Sequence, residues 1–291
     1  MTVPYGRIDQ IRHVIRSYSK MVADDARYGN APSHLADKGH DFADLREYTY
    51  GDDARDIDWK SSTRTGKILV QRRVVEKERR VLVVCTNGSF MEADTSIGED
   101  KSDVMIQIAG SVAYLAHSCG DRYAFMFVDG DELSCSEFRN GMEFLERNLA
   151  ALERSVATKS KYAPQDIVEH LSLSGRKKQV IVIVTDVTGA FAMSEKALKR
   201  IAGENDLRMI VIEDAYLFEK GSVDMEIGDV LPRISEKKRK NLLAVEVSER
   251  TRSWDVLKTF AKRCGIPLAS VKASSEIPEM MMDLFGERGR R

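Results

Sequence analysis

Long apolar runs are missing from this sequence of 291 residues. The apolar runs at residues 81–85 and 180–184 fall far short of the roughly 20 apolar residues that a helix needs to cross a bilayer. The first residues, MTVPYGRIDQIRH, also lack the apolar core of a signal peptide. We therefore expect no membrane span and a cytoplasmic location.

An excess of one charge and paired cysteines are missing as well. The formal net charge is -1, which gives no overall attraction to nucleic acid or to an anionic membrane. The four cysteines (Cys85, Cys119, Cys135 and Cys264) form no CxxC pair. Cys85 and Cys135 lie in apolar or strand-like runs, so we expect both to be buried free thiols, which suits a reducing cytosol.

The common catalytic motifs are absent too. The sequence contains no GxSxG elbow and no GxxxxGK[ST] phosphate-binding loop, and its five histidines show neither HxH nor HExxH spacing. These absences argue against a serine nucleophile, ATP binding and a histidine-based zinc site. We expect a protein that is not an enzyme.

What is present is an alternation of helix and strand patterns. Apolar residues recur at helical spacing over residues 6–23, and residues 81–85 and 179–185 are continuously apolar, which is typical of strands covered on both faces. Further helices are predicted at residues 102–118, 142–152, 166–173, 194–202, 253–263 and 277–284, and further strands at residues 68–75, 123–128, 132–136, 207–213, 243–247 and 267–272. This alternation predicts an α/β fold with a doubly wound, mostly parallel, Rossmann-like sheet. We place a domain boundary near Glu78, between residues 1–78 and a sheet domain at residues 79–291.

Residues 39–65, GHDFADLREYTYGDDARDIDWKSSTRT, form the most unusual stretch. Carboxylates, arginines and aromatic side chains occur together here, and Arg can hold a carboxylate through two parallel hydrogen bonds. The mixture follows neither helical nor strand periodicity, so we predict an ordered loop held by ion pairs and aromatic packing. With Trp59 packed in this way, Trp59→Ala would cost about 3 kcal/mol or more. The residues expected to hold the loop are Arg46, Glu47, Tyr48, Gly51, Asp52, Asp53, Arg55, Asp58, Trp59 and Arg64.

The order of residues in this stretch resembles the hallmark of domain-of-unknown-function family fifty-eight: an Asp-Phe pair, Arg-Glu-Tyr, Gly-Asp-Asp, Arg, Ile-Asp-Trp and Arg-Thr. The resemblance implies a von Willebrand factor type A-like domain directly downstream. It also implies the short, soluble class of the family and a protein partner, an AAA+ ATPase of the MoxR type. We refer to residues 39–65 as the hallmark segment.

The ends of the predicted strands indicate where a ligand would bind, because doubly wound sheets bind ligands beyond the carboxyl ends of their strands. By the resemblance, Mg²⁺ would lie there, on an Asp-x-Ser-x-Ser loop and a second Asp. Residues 86–91, TNGSFM, lack that first carboxylate, whereas Asp186 is kept. We predict a docking face at Asn87, Ser89, Asp186 and Thr188 and no cofactor. The alternatives are a degenerate Mg²⁺ site on Ser89 and Asp186, or a turn at Asn87 with Asp186 held by backbone donors.

The resemblance therefore implies a non-enzymatic adaptor or co-chaperone that works with a MoxR-type AAA+ ATPase in the assembly or remodelling of protein complexes. One alternative is a metal-dependent hydrolase built on Asp52, Asp53, Asp56 and Asp58, although pairing with neighbouring arginines explains these carboxylates better. Another is nucleic-acid binding through the basic runs at residues 237–240 and 288–291. These runs lack the interleaved aromatic residues that favour single-strand binding.

Overall fold

The computed structural model describes residues 5–27, 44–49, 57–72, 78–88, 91, 93–156, 162–216, 218 and 235–285. Within these ranges the helices are α1 (Tyr5–Arg27), α2 (Trp59–Thr65), α3 (Lys101–Ser118), α4 (Met142–Val156), α5 (Pro164–Leu173), α6 (Val187–Ala192), α7 (Glu195–Glu204), α8 (Glu236–Cys264) and α9 (Ile277–Phe285). The strands are β1 (Asp44–Glu47), β2 (Leu69–Arg72), β3 (Arg80–Cys85), β4 (Arg122–Asp129), β5 (Glu132–Cys135), β6 (Val180–Asp186), β7 (Asp206–Ile212) and β8 (Leu268–Val271).

A six-stranded sheet forms the centre of the fold, in the order β5-β4-β3-β6-β7-β8. Neighbouring strands are parallel except β4 and β5, which are antiparallel. The chain leaves the central pair, β3 and β6, in opposite directions, which makes the sheet doubly wound. The predicted α/β fold class with a mostly parallel sheet is confirmed.

Successive side chains of β3 enter two separate hydrophobic clusters, because neighbouring residues of a strand point to opposite faces. Val81, Val83 and Cys85 pack with residues of α1, α3, α4 and α9. Leu82 and Val84 pack on the other face with residues of α5, α6, α7 and α8. Both faces are covered, which explains why this strand is continuously apolar from Val81 to Cys85.

Helix α1 contributes to the first of these clusters through five buried side chains: Ile8, Ile11, Val14, Ile15 and Tyr18. It contacts α3 and α9. The helix predicted at residues 6–23 is therefore confirmed, and it packs on the sheet domain. The boundary near Glu78 stays a prediction.

Helix α8 corrects one predicted element. Residues 243–247 were expected to form a strand, but they lie inside this 29-residue helix. The β-branched residues Val245 and Val247 are exposed, so they gain no packing from a sheet, and most of their neighbours are good helix formers. The helix ends at Gly265, whose positive φ of 67° is the usual glycine conformation after a helix.

The described part of the hallmark segment, together with the strand that follows it, forms a small unit. Strands β1 and β2 pair antiparallel, and α2 lies between them in the chain. Asp58 caps α2 by accepting a hydrogen bond from Ser61 N at 3.0 Å, and Gly66 ends it at a φ of 71°. The prediction of an irregular loop is therefore wrong here, because capping residues and strand pairing specify regular structure. We call residues 44–49 and 57–72 the hallmark unit.

The cysteine prediction holds for one of two positions. Cys85 is buried in a central strand, as predicted, but Cys135 is exposed. Cys135 lies in β5, the antiparallel edge strand, and an edge strand has a neighbour on one side only. Among the described helices, none is long and apolar enough to span a bilayer.

Candidate functional site

The carboxyl ends of β3 and β6 meet at the point where the winding direction of the sheet reverses. These strands run parallel, with Cys85 opposite Val184, so Thr86 lies beside Thr185, and Asp186 follows directly. A doubly wound sheet has its ligand-binding crevice at this position. This edge is therefore the candidate site.

Two buried hydroxyl groups join the strand ends. Thr86 Oγ1 donates a hydrogen bond to Thr185 Oγ1 at 2.8 Å, and both residues are buried. Thr86 is one of two residues, with Asn87, that align with the metal-binding Asp implied by the resemblance. The Thr86 hydroxyl instead ties β3 to β6.

Asn87 is also buried and engaged within the fold. Its Nδ2 donates to Val128 O at 2.7 Å and to Ser155 Oγ at 2.9 Å, and its Oδ1 accepts from Val128 N at 2.9 Å. The amide thus bridges the ends of β3, β4 and α4. Asn87 was predicted to be part of a docking face, but its side chain supports the loop from inside.

Asp186 lies at the end of β6 and is only 2% exposed. Its Oδ1 accepts a hydrogen bond from Gly189 N at 2.7 Å, which agrees with the alternative that backbone donors hold this carboxylate. Burial raises the pKa of Asp186, although the nearby Lys101 ammonium opposes that effect. A Cβ at Gly189 would lie 2.7 Å from Asp186 Oδ1, so the turn requires glycine for space.

Lys101 is one of two residues, with Asp214, that the sequence reasoning missed. It is the first residue of α3, it is 2% exposed, and its ammonium group lies 2.5 Å from Asp214 Oδ1 and 3.6 Å from Asp186 Oδ2. A cation in the first turn of a helix opposes the helix dipole, and Asp100 precedes it as the N-cap. A lysine at such a position was the one signal available in the sequence.

Helix α8 holds the segment that carries Asp214. The guanidinium of Arg250 donates to the carbonyl oxygens of Asp214 and Ala215, and it lies 4.3 Å from the ring centroid of Tyr216. These contacts fix the backbone from which the Asp214 carboxylate reaches Lys101.

A groove of about 430 Å³ lies beside this edge, between α6 and α8. The buried residues Ala190, Met193 and Leu257 line it, and Phe191 and Val256 are 44% and 55% exposed along it. Helix α6 begins directly after Asp186, so one wall of this groove starts from the carboxyl edge.

The other predicted site residues have different surroundings. Thr188 is exposed in the first turn of α6, as a docking residue would be, whereas Ser89 lies outside the described residues. The structure thus brings together Asp186, Lys101 and Asp214, and only the first of these was predicted.

The hallmark unit displays aromatic side chains instead of burying them. Trp59 is 66% exposed, and Tyr48 and Ile68 are also exposed. The prediction that Trp59 packs in a core is wrong, because α2 has few apolar positions and presents this one to solvent. Glu47 pairs with Lys67. Arg64 lies in the last turn of α2, where a positive charge interacts favourably with the helix dipole.

The structure describes only some of the remaining predicted hallmark residues. Arg46 is described through its backbone alone, paired with Val70 across the small sheet. Gly51, Asp52, Asp53 and Arg55 lie outside the described residues. The predicted pairing of Asp and Arg side chains there stays a prediction.

Sheet order and crevice together define a doubly wound α/β protein with its candidate site at the switch point. The chain belongs to the family described as Protein of unknown function DUF58, whose model matches residues 44–252. This confirms the resemblance drawn from the hallmark segment.

Several known proteins are similar to this chain. Uncharacterized protein Rv1480 of Mycobacterium tuberculosis is 23% identical over 271 residues, which are 88% of this chain and 82% of that protein. Among solved structures, the conserved hypothetical protein BatB from Bacteroides thetaiotaomicron is 12% identical with a TM-score of 0.41, over 71% of this chain and 98% of that chain. The SpRpn10 VWA domain is 12% identical with a TM-score of 0.38, over 70% and 94% of the two chains.

Proposed function

We propose that this protein is a protein-interaction module that performs no chemistry of its own. The observation that carries the proposal is the exposure of Trp59 on a short helix with caps at both ends. Tryptophan is costly to expose and is enriched at the energetic centres of protein interfaces. Tyr48 and Ile68, whose backbones are joined by a hydrogen bond of 2.8 Å from Tyr48 N to Ile68 O, add apolar surface to the same unit.

The carboxyl edge offers a second docking surface. Phe191 and Val256 expose apolar area along the groove, and Thr188 lies on the same short helix as Phe191. A partner segment with an apolar side chain for the groove would fit this edge. We propose that Thr188 and the groove contact the partner, and that Asp186 acts from inside by shaping the turn.

The finer proposal is that the partner is a MoxR-type AAA+ ATPase, with which this protein assembles or remodels other protein complexes. This part follows from the family resemblance, as does the cytoplasmic location. The exposed aromatic side chains of the hallmark unit support the proposed ATPase partner, because the family hallmark encodes that unit.

The test is a binding titration of a MoxR-type ATPase from the same organism against wild type and Trp59→Ala, with and without ATP. Trp59→Ala should keep its free energy of unfolding within about 1 kcal/mol, as expected for an exposed residue. It should bind about 30-fold more weakly, the loss of about 2 kcal/mol that is typical of an interface centre.

Leu173→Ala is the matched control, because Leu173 is a similarly exposed apolar residue at the end of α5. It should bind as wild type does. Equal binding by Trp59→Ala and wild type would show that the hallmark unit is not part of the interface. An ATPase that never binds wild type would show that the proposed partner is wrong.

The two alternative functions stay predictions without a particular observation in their favour. Hydrolysis would depend on Asp52, Asp53 and Asp56, which lie outside the described residues, and on Asp58, whose carboxylate caps α2. For nucleic-acid binding, Arg239 in the basic run is already engaged, since its guanidinium donates to Glu236 at 2.8 Å and to Phe218 O at 2.7 Å. Metal analysis of the purified protein tests the first, and the salt dependence of DNA or RNA binding tests the second.

A further inference from the structure

A buried ammonium group lies at the switch point of the sheet, where the family resemblance implied a divalent cation. Lys101 Nζ is 2.5 Å from Asp214 Oδ1 and 3.6 Å from Asp186 Oδ2. The lysine side chain is 2% exposed and that of Asp186 is 3% exposed. A charge withdrawn from water to this degree must be compensated locally, and the two carboxylates provide that compensation.

The same geometry leaves poor conditions for a divalent ion. Mg²⁺ requires about six oxygen ligands at about 2.0–2.1 Å, and Ca²⁺ requires six to eight at about 2.3–2.6 Å. Any ion within that distance of Asp186 Oδ2 would be close to the Lys101 ammonium and repelled by it. The other oxygen, Oδ1, accepts a hydrogen bond from Gly189 N.

Thr86 and Asn87, described residues of the first loop, supply no replacement ligands. The hydroxyl of Thr86 donates to Thr185, and the amide of Asn87 is used by Val128 and Ser155. Among the residues that the structure describes, no group of three or more His, Cys, Asp or Glu side chains is placed to hold a metal ion. The described residues at this edge therefore do not fit a divalent ion.

We propose that the Lys101 ammonium is a tethered cation that replaces the divalent ion at this edge. It neutralises Asp186 and Asp214 together and links the end of β6 to the segment after β7. The edge is then fully formed without a free metal ion. This role of Lys101 is independent of the proposed interaction function, because it concerns the cation and not the partner.

The first experiment uses the wild-type protein. Thermal melts in 10 mM MgCl₂, in 10 mM MnCl₂ and in EDTA should agree within about 1 °C, and the small remaining response should be the same in Asp186→Asn. Calorimetric titration with Mn²⁺ should detect no site that depends on Asp186. A stoichiometric Mn²⁺ site in wild type that disappears in Asp186→Asn would overturn the proposal.

The second experiment removes the tethered cation. Lys101→Ala leaves two carboxylates and an open space, so it should melt below wild type, and an added divalent ion should raise its Tm. At ten times the dissociation constant the rise should be about 3 °C or more. Adding Asp186→Asn to the same variant should abolish this rise.

Two further variants separate charge from packing. Lys101→Met keeps most of the side-chain length but carries no charge. This variant should be destabilised, and its Tm should not respond to ions because the methionine fills most of the space. Lys196→Ala removes an exposed lysine from α7 and should match wild type in every condition.

If Lys101→Ala folds only when Mg²⁺ or Mn²⁺ is present, the proposal is supported. If it melts as wild type does and ignores both ions, the proposal is wrong. If it does not fold at all, the wild-type titration decides.

Discussion

Asn87 is a polar side chain with almost no contact with water, and its amide makes three hydrogen bonds to the ends of β4 and α4. Two of these satisfy the N–H and C=O groups of one residue, Val128. Buried backbone groups that lose their partners destabilise a protein by about 1–3 kcal/mol each. Asn87 is therefore a structural requirement of the candidate site.

We predict that Asn87→Ala lowers the free energy of unfolding by about 2–4 kcal/mol, since it leaves both Val128 groups without partners. Urea denaturation monitored by circular dichroism measures the change. Asn140→Ala is the matched control, because the Asn140 amide also donates to a backbone oxygen, that of Asp121 at 2.7 Å, but is exposed. It should change stability by less than about 1 kcal/mol. Similar effects of the two substitutions would contradict the structural role of Asn87.

Cys85 provides a chemical test at the same scale. Burial raises its pKa to about 12, so only about one molecule in 10⁴ carries the thiolate at pH 8, and the thiolate is the reactive form. Maleimide should modify Cys119 and Cys135, which are exposed, at least about 10³-fold faster than Cys85. Peptide mass mapping over time gives the rates. In guanidinium chloride the difference in rate should vanish. Fast labelling of Cys85 in the native protein would contradict its burial in β3.

Single-residue roles were predictable only where one strand end determined them. Asp186 could be found because it follows a recognisable buried strand. Lys101 and Asp214 could not, because their significance comes from a contact between elements that are distant in the chain. Trp59 shows the same limit in reverse: its residue type favours a core, but neighbours that the sequence does not reveal decide its exposure.

Helices α1 and α3 approach each other closely at Gly110. A Cβ at this position would collide with Ile11 Cδ1 and would lie 3.1 Å from Ile11 Cγ1 and 3.3 Å from Leu149 Cδ1. Glycine in a helix interior is less favourable than alanine by about 1 kcal/mol, so its presence here reflects space. The contact fixes how near α1 can lie to the sheet domain.

We predict that Gly110→Ala lowers stability by about 1–2 kcal/mol through overpacking, despite the better helix propensity of alanine. Ile11→Val removes the Cδ1 atom that collides, and alone should cost about 1 kcal/mol. In the double variant the two changes should compensate, with a favourable coupling of at least about 1 kcal/mol. Thermal or urea unfolding of all four proteins closes the cycle.

Gly203→Ala serves as the control for that cycle. Gly203 lies near the end of α7, and no atom lies within 4 Å of a Cβ built there. This substitution should leave stability unchanged or raise it by up to about 1 kcal/mol. Strictly additive effects of Gly110→Ala and Ile11→Val would mean that the two helices do not meet as described.

Most helices and strands of the sheet domain were predictable because burial on both faces leaves continuous apolar runs in the strands and helical periodicity between them. The start of α8 was not, since a short β-branched run such as that around Val245 fits a strand or a helix equally well. The helix of the hallmark unit was missed because it is specified by its capping residues, Asp58 and Gly66. Capping residues do not alter the apolar periodicity on which the prediction was based.

At the scale of the whole molecule, the six-stranded sheet lies between two layers of helices, and α1 is part of one layer. Burying a large apolar side chain contributes about 1.5–3 kcal/mol. The five buried side chains of α1 therefore contribute an amount comparable to the total stability of about 5–15 kcal/mol that is usual for a domain. The sheet domain should depend on α1 far more than on the hallmark unit, whose described hydrogen bonds, such as that from Asp58 N to Leu69 O at 2.9 Å, join its own residues.

We predict that deletion of residues 1–27 abolishes cooperative thermal unfolding, whereas replacement of residues 44–72 by a Gly/Ser linker preserves it. Calorimetry and the binding of a hydrophobic dye report the two outcomes. This pair of variants also tests the boundary near Glu78. A sheet domain that still melts cooperatively without α1 would confirm that boundary, and loss of folding in both variants would show that the hallmark unit supports the core.

The placement of α1 between α3 and α9 has a consequence for synthesis of the chain on the ribosome. The apolar stripe of α1 is synthesised before its contacts on α3, which follow after about 100 residues, and long before those on α9. Until then that stripe is open to water and to other nascent chains, a state that favours aggregation or capture by a chaperone. Helix α1 can therefore complete its packing only after α9 has been synthesised.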